Sequence, residues 1–208
     1  MLLRRAAYSV LGLFLLAALA YTATFEHWTV PDGDPALASS VEPALHAGDT
    51  VALLRRGPIA HGDLVRCVDP SDPASFVAGR VLGVAGDAID IDGNGVRING
   101  DAASIAGACD RATRVVKNPL GGEQAELDCA IELLGGHRHP ILAGDRTISP
   151  TAATVDSGKL WLVSDDRRFH LDSRDFGAIE RTTCARVVYI LVGPAHGGEA
   201  DRSFTAVP

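Results

Sequence analysis

Ser40 is the side chain this sequence offers as a nucleophile. It lies in Ser39-Ser40-Val41-Glu42-Pro43-Ala44-Leu45-His46-Ala47-Gly48-Asp49, and a serine near a proline is most often only a turn residue. Its standing comes from three later blocks: Gly79-Arg80-Val81-Leu82-Gly83-Val84-Ala85-Gly86-Asp87, Ser164-Asp165-Asp166-Arg167 and Asp172-Ser173-Arg174-Asp175-Phe176-Gly177. Hydrolysis by a serine needs a base for the hydroxyl proton and donors for the developing oxyanion. Lysine is a scarce base here, since Lys117 and Lys159 are the only two. Four cysteines, Cys67, Cys109, Cys129 and Cys184, show neither a CxxC pair nor a Cys/His metal spacing. His137 and His139 share a strand face without a third ligand nearby, so they read as surface, and neither metal nor cofactor is implied.

The elements that must position these residues follow from patterning. Residues 6–25 carry no charge and, as a helix, reach roughly the 30 Å of a bilayer core. Arg4 and Arg5 before them place the N-terminus in the cytoplasm by the positive-inside rule. A cleaved signal peptide ending near Ala18-Leu19-Ala20 is the competing reading, and both put the remainder outside the cytoplasm, where disulfides persist. Residues 26–38, rich in Pro, Gly and Asp, read as a linker. Thr50–Leu54, Leu64–Val68, Phe76–Val84 and Ala88–Ile91 read as strands, and Asp92-Gly93-Asn94-Gly95 as a hairpin turn into the next. Lys159–Val163 and Ala185–Val192 are further strands, and residues 193–208 lack periodicity, as a flexible tail would. The length of 208 residues suffices for one real core, and a net charge of −7 argues against a nucleic-acid partner.

Taken in order behind an apolar N-terminal segment, the motifs resemble the type I signal peptidases, membrane-anchored serine proteases. Ser40-Val41-Glu42-Pro43-Ala44-Leu45 resembles their Ser-Met-x-Pro-Thr-Leu, with Gly48-Asp49 after it. The resemblance spans about Ser39 to Val192 and implies a mainly β fold, a coiled β-barrel core on one transmembrane helix. That core would comprise residues 39–100 and 158–192, with a β-rich insertion over 101–157 and an anchor with a cytoplasmic tip over 1–25. A Cys109–Cys129 bridge within the insertion would close about 20 residues, worth roughly 3 kcal/mol. Cys67 and Cys184 fall in core strands as buried small hydrophobes, with their pairing open.

The resemblance implies Ser40 as nucleophile and a lysine at the position of Gly79, and glycine cannot accept a proton. The family's oxyanion serine falls at Ala38, leaving backbone N–H groups for that task. His170 takes the place of a serine that contacts the family's lysine, so it aims by analogy at the gap left by Gly79. Imidazole serves as a general base near neutrality, hence a Ser40/His170 dyad oriented by Asp166 or Asp172. Asp166, Arg167, Asp172 and Arg174 would support the site loop, while Val41, Pro43 and Phe76 would border a groove that reads substrate as an added strand. The implied function is leader-peptide removal from exported preproteins at the outer face of a bacterial cytoplasmic membrane, with signal peptides and the lipid bilayer as partners. The alternative is an inactive pseudoprotease that binds peptides or aids assembly.

Overall fold

The computed structural model of the chain describes residues 2–207 except 94, 120, 123, 145–149 and 196–198, and leaves the side chains of residues 2–7, 9 and 10 undescribed. Arg4, Arg5 and Asn94, used in the readings above, therefore lie outside the described side chains. Helix α1 (Leu2–Thr24) runs straight into strand β1 (Phe25–Thr29), and a short helix α2 (Pro35–Val41) follows. Then come β2 (Thr50–Leu54), β3 (Leu64–Val68), β4 (Phe76–Val84), β5 (Ala88–Asp92), β6 (Gly95–Ile98) and β7 (Asp101–Ala102). The middle of the chain forms β8 (Ser104–Lys117), β9 (Gln124–Leu134), β10 (His137–Ala143) and β11 (Thr151–Thr154). β12 (Lys159–Val163), a single-turn helix α3 (Ser173–Phe176), β13 (Ile179–Glu180), β14 (Cys184–Val192) and β15 (Thr205–Ala206) complete it.

One sheet carries the core, in the order β1-β2-β14-β3-β4-β12-β13, with β15 added on β14. This path has two free ends, and the coiled barrel core expected is a curled half-barrel. β4 is a near-continuous apolar run and is buried along all but its ends, as a central strand covered on both faces must be. Leu64 and Ala78 lie on one face with Leu37, Ala38 and Val41 of α2, and Val65, Val77 and Val81 lie on the other with Leu160 and Leu162. Smaller sheets β11-β5-β6-β7 and β10-β9-β8 flank it, the latter being the expected insertion hairpins.

Three expectations change here. The stretch read as a linker contains β1, paired in register with β2, and most of α2. The Asp34 side chain accepts a hydrogen bond from Leu37 N at 3.0 Å and Pro35 opens the first turn, so the same residues that look like a breaker cap a helix. Cys67 and Cys184 are register partners on β3 and β14 and form a disulfide across a separation of 117 residues, worth about 5 kcal/mol in the chain-entropy picture. Cys109 and Cys129 are joined as well. The expected flexible tail instead pairs β15 with β14, and Val207 N donates to Val188 O at 3.3 Å.

Among the described residues no helix is long and apolar enough to cross a membrane, so the transmembrane anchor is not borne out on that criterion. What is present at residues 2–24 is a 23-residue helix whose Leu11, Leu13, Phe14, Leu15, Leu16 and Leu19 are all exposed.

Candidate active site

Ser40 is the penultimate residue of α2 and is fully buried. The helix ends there because Pro43 forbids its continuation and drives the preceding residue out of the helical region, with Glu42 at ψ 139°. The Ser40 hydroxyl proton reaches Ala36 O at 2.9 Å or Leu171 O at 3.3 Å, and its oxygen accepts from Leu171 N at 3.2 Å. Asp165 N donates to Ser40 O at 2.9 Å. The nucleophile candidate is thus clasped by the loop that carries both late Asp–Arg blocks. Its neighbour Ser39, set aside in the sequence, donates to Phe169 O at 3.2 Å and meets Asp166 Oδ2 at 3.4 Å.

That loop is held by buried ion pairs. Arg80 Nε lies 3.1 and 3.2 Å from the two oxygens of Asp165, and both side chains are fully buried. Arg174 takes Asp172 in a fork, Nε to Oδ1 at 2.9 Å and Nη2 to Oδ2 at 2.6 Å, while Ser164 N donates to the same Oδ2 at 2.7 Å. Burial pulls the Asp172 carboxyl upward, yet the Arg174 hydrogen bonds and charge hold it below the usual range. Asp166 Oδ1 accepts from Arg168 N and Phe169 N at 2.8 Å each, shaping the turn, but burial prevails and raises its pKa. Arg167 reaches into the insertion, where Glu132 Oε2 meets its Nη2 at 2.6 Å.

Among the described residues, the Ser40 hydroxyl hydrogen-bonds backbone atoms and not the His170 ring. The His170 Nδ1 lies 2.8 Å from Asp175 Oδ2, so the acid that engages this ring is Asp175 rather than the Asp166 or Asp172 expected. Asp175 is recruited by the capping box of α3, where Asp172 at the cap and Asp175 three residues on answer each other's backbone N–H. Burial is the strongest single influence on Asp175 and raises its pKa, but the His170 hydrogen bond, the Asp172 N–H and the His170 charge together hold it below the usual carboxylate range, so it stays ionised at neutral pH. His170, Asp172 and Asp175 bring ligand-type atoms within 4.8 Å, but Asp172 already accepts four hydrogen bonds, two from Arg174 and two from backbone N–H, leaving no lone pair for a cation.

Gly79 needs a correction. It lies on the sheet face of Val65, Val77 and Val81, opposite the face that α2 covers, and the residue on the α2 face is Ala78. A Cβ added at Gly79 would meet Val163 O at 3.0 Å and Leu162 Cβ at 3.5 Å. Gly79→Lys is therefore expected to lose about 1–3 kcal/mol of stability and gain no cleavage over wild type, which urea melts and a leader-cleavage assay check together.

Of the expected groove residues, Pro43 borders open space. Val41 is fully buried in the core, and Phe76 is half-buried beneath the Arg66 guanidinium at 4.1 Å. Pro43 lines two adjoining cavities, one of about 600 Å³ with Arg114, Ile131 and Glu199, the other of about 340 Å³ with Glu42, His46 and Arg114. Burial, reinforced by the nearby Asp166 charge, pushes the Glu42 pKa up to about 7. A carboxyl raised in the folded state adds stability fully present below its unfolded value, about 4.5, and lost as pH rises through 7. Glu42→Gln is therefore expected to flatten the loss of stability between those limits, seen as melts that match wild type at pH 4 and exceed it at pH 8.

The sequence reading missed several partners. His139 is fully buried, not surface as expected, and its Nε2 is 3.2 Å from Glu132 Oε2 and 3.8 Å from Asp165 Oδ1. Leu142 N donates to Asp165 O, and Arg167 N to Leu142 O, at 2.9 Å each, so β10 is stitched onto the site loop. His137 and His139 stand two residues apart on β10, the first partly exposed and the second fully buried against Glu132 and Asp165. The Asp172-x-x-Asp175 capping box was legible, and could have named Asp175 as the acid beside His170.

Buried Asp–Arg pairs thus close a loop over the end of a serine-bearing helix, on a curled antiparallel sheet. The family described as signal peptidase, peptidase S26, matches residues 3–191, and the chain belongs to that family. A signal-peptidase-like role with signal-peptide substrates is the coarse assignment this carries. Among solved structures, the crystal structure of a signal peptidase I from Enterococcus faecalis V583 is similar at 22% identity and a TM-score of 0.38, covering 64% of this chain and 97% of that one. No curated protein sequence matches the chain.

Proposed function

We propose that the chain is a serine endopeptidase of signal peptidase type that removes leader peptides from exported proteins, with Ser40 as nucleophile and His170 as general base. The observation that carries this is the pairing of an Asp175-oriented imidazole with a neighbouring backbone, that of Leu171, whose N–H and C=O both hold Ser40 Oγ. With Nδ1 committed to Asp175, Nε2 is the nitrogen left to take a proton, which is the division of labour a serine peptidase triad uses. A leader strand bound beside Pro43 displaces the Leu171 contacts, and Ser40 Oγ attacks the scissile carbonyl as its proton passes to His170. The imidazolium then protonates the leaving amine, and water, deprotonated by the same ring, releases the acyl group. With alanine at position 38, backbone N–H groups face the oxyanion.

The site faces the outer side of a bacterial cytoplasmic membrane in this reading. Two features support it: disulfides persist outside the reducing cytoplasm, and α1 presents exposed leucines along roughly 35 Å of helix. A second reading, a peptide-binding pseudoprotease, is favoured by the full burial of Ser40 and the engagement of its hydroxyl by backbone atoms alone. Cleavage of an Ala-x-Ala preprotein by the full-length protein in detergent, beside Ser40→Ala, decides between them. Binding of the leader without serine-dependent cleavage sinks the enzyme reading.

A further inference from the structure

The family match stops at residue 191, yet the next residues reach back to the nucleophile turn. Arg202 Nη1 donates to Ala44 O at 2.7 Å and its Nη2 to Asp49 Oδ2 at 2.7 Å, with His46 Nδ1 also against Nη2. Asp49 is only 1% exposed, and a carboxylate so buried needs a cation or several donors. His46 N supplies one hydrogen bond to it at 2.8 Å, and Arg202 supplies the charge. The planar fork of an arginine can serve the carbonyl and the carboxylate at once, which an ammonium does less well.

The segment bearing Arg202 is itself pinned. Arg202 N donates to Gly193 O at 2.7 Å, Gly193 N to Ser203 Oγ at 3.0 Å, and Tyr189 Oη to Phe204 O at 2.5 Å. Glu199, on the same segment, pairs with Arg114 of the insertion and lies 3.6 Å from His46 Nε2. Residues 199–207 therefore tie the turn after Ser40 to the main sheet and to the insertion, and they form one wall of the cavity of about 600 Å³ at Pro43.

We propose that Arg202 is a positioning residue of the peptidase site: it fixes the turn of residues 44–49 that follows Ser40, and with Glu199 it closes one end of the substrate groove. This rests on the peptidase reading. Arg202 touches no reacting atom; it acts through the backbone that sets where Pro43 and the end of α2 stand. A displacement of about 1 Å at such a distance from the chemistry is enough to cost on the order of a hundredfold in rate.

The test uses full-length Arg202→Ala and Arg202→Lys beside wild type. Leader-cleavage kinetics are normalised to correctly folded protein, and amide hydrogen exchange is followed by peptide. Arg202→Ala is expected to lower kcat about ten- to a hundredfold with KM within about threefold, and Arg202→Lys to recover part of the loss. Exchange is expected to quicken in peptides covering residues 44–49 and not in those covering β3 and β4. An unchanged kcat per folded molecule overturns the proposal, as does faster exchange spread evenly over the sheet. If wild type itself cleaves nothing, the peptidase reading falls alone. The exchange pattern then still decides the strap: confined acceleration in Arg202→Ala keeps it, and none removes it.

Discussion

Ser40→Ala in the full-length protein is expected to lower kcat for leader cleavage on the order of 10⁴- to 10⁶-fold, the scale seen when a serine peptidase loses its nucleophile. His170→Ala is expected to approach the same floor, and the double variant to add little, because residues acting as one unit are not additive. Asp175→Asn is expected to fall between, since it turns an orienting acceptor into a group that also fits the wrong tautomer of His170. The folding cost of Ser40→Ala is about 1–3 kcal/mol, because the hydroxyl's bond to Ala36 O goes and the Leu171 N–H loses its acceptor, so a rate loss far beyond that shift would certify that chemistry and not structure was removed. A wild-type rate that Ser40→Ala leaves untouched sinks the assignment.

Asp165→Ala is expected to destabilise the protein by about 3–5 kcal/mol, with a loss on the order of 10 °C in Tm. The Arg80 and Asp165 side chains are both fully buried, and removing the carboxylate strands a guanidinium in the interior without the group that balances it. Asp165 also donates through its backbone to Ser40 O and accepts from Leu142 N, so the loss is transmitted to the end of α2 and to β10 together. Asp90→Ala is the natural control, because its partner Arg97 lies 3.4 Å away with both side chains about half exposed. That exposed pair is worth roughly 0–1 kcal/mol. Replacing Arg80 and Asp165 together by leucine should recover much of the loss, as a buried pair exchanged for packed apolar groups is often near neutral. Thermal melts of the three variants beside wild type would read this directly. An Asp165→Ala variant as stable as Asp90→Ala would mean the buried pair is not what closes the loop.

Much of the scaffold was legible because its signals are local. The period-two strands, the Asp92–Gly95 turn and the apolar run of β4 each depend on a few neighbouring residues, and the structure holds them with only small shifts of boundary. The order of the serine motif and the two late Asp–Arg blocks was equally plain, and it led to the family that the chain belongs to. Helix α2 was the local failure: Asp34 and Pro35 signal a turn and a helix start alike, and only burial of Leu37, Ala38 and Val41 against Ala78 selects the helix.

The remainder was settled by partners far apart in the chain. Cys67 finds Cys184, Glu132 finds Arg167, and Arg202 finds Asp49 across 153 positions, and no local pattern encodes such pairings. Which face of β4 receives Gly79 is fixed by register with β3 and by where α2 docks, since a strand shows alternate residues to opposite sides. His137 and His139 looked alike for the same reason, until β10 passed beneath the site loop and buried one of them. By itself the sequence determined the strands, the helix-ending proline after Ser40 and the charged blocks of the loop. Only the tertiary structure decided which of those charges are paired in the interior and what holds the Ser40 hydroxyl, because burial and ion pairing belong to the assembled sheet rather than to any one segment of it.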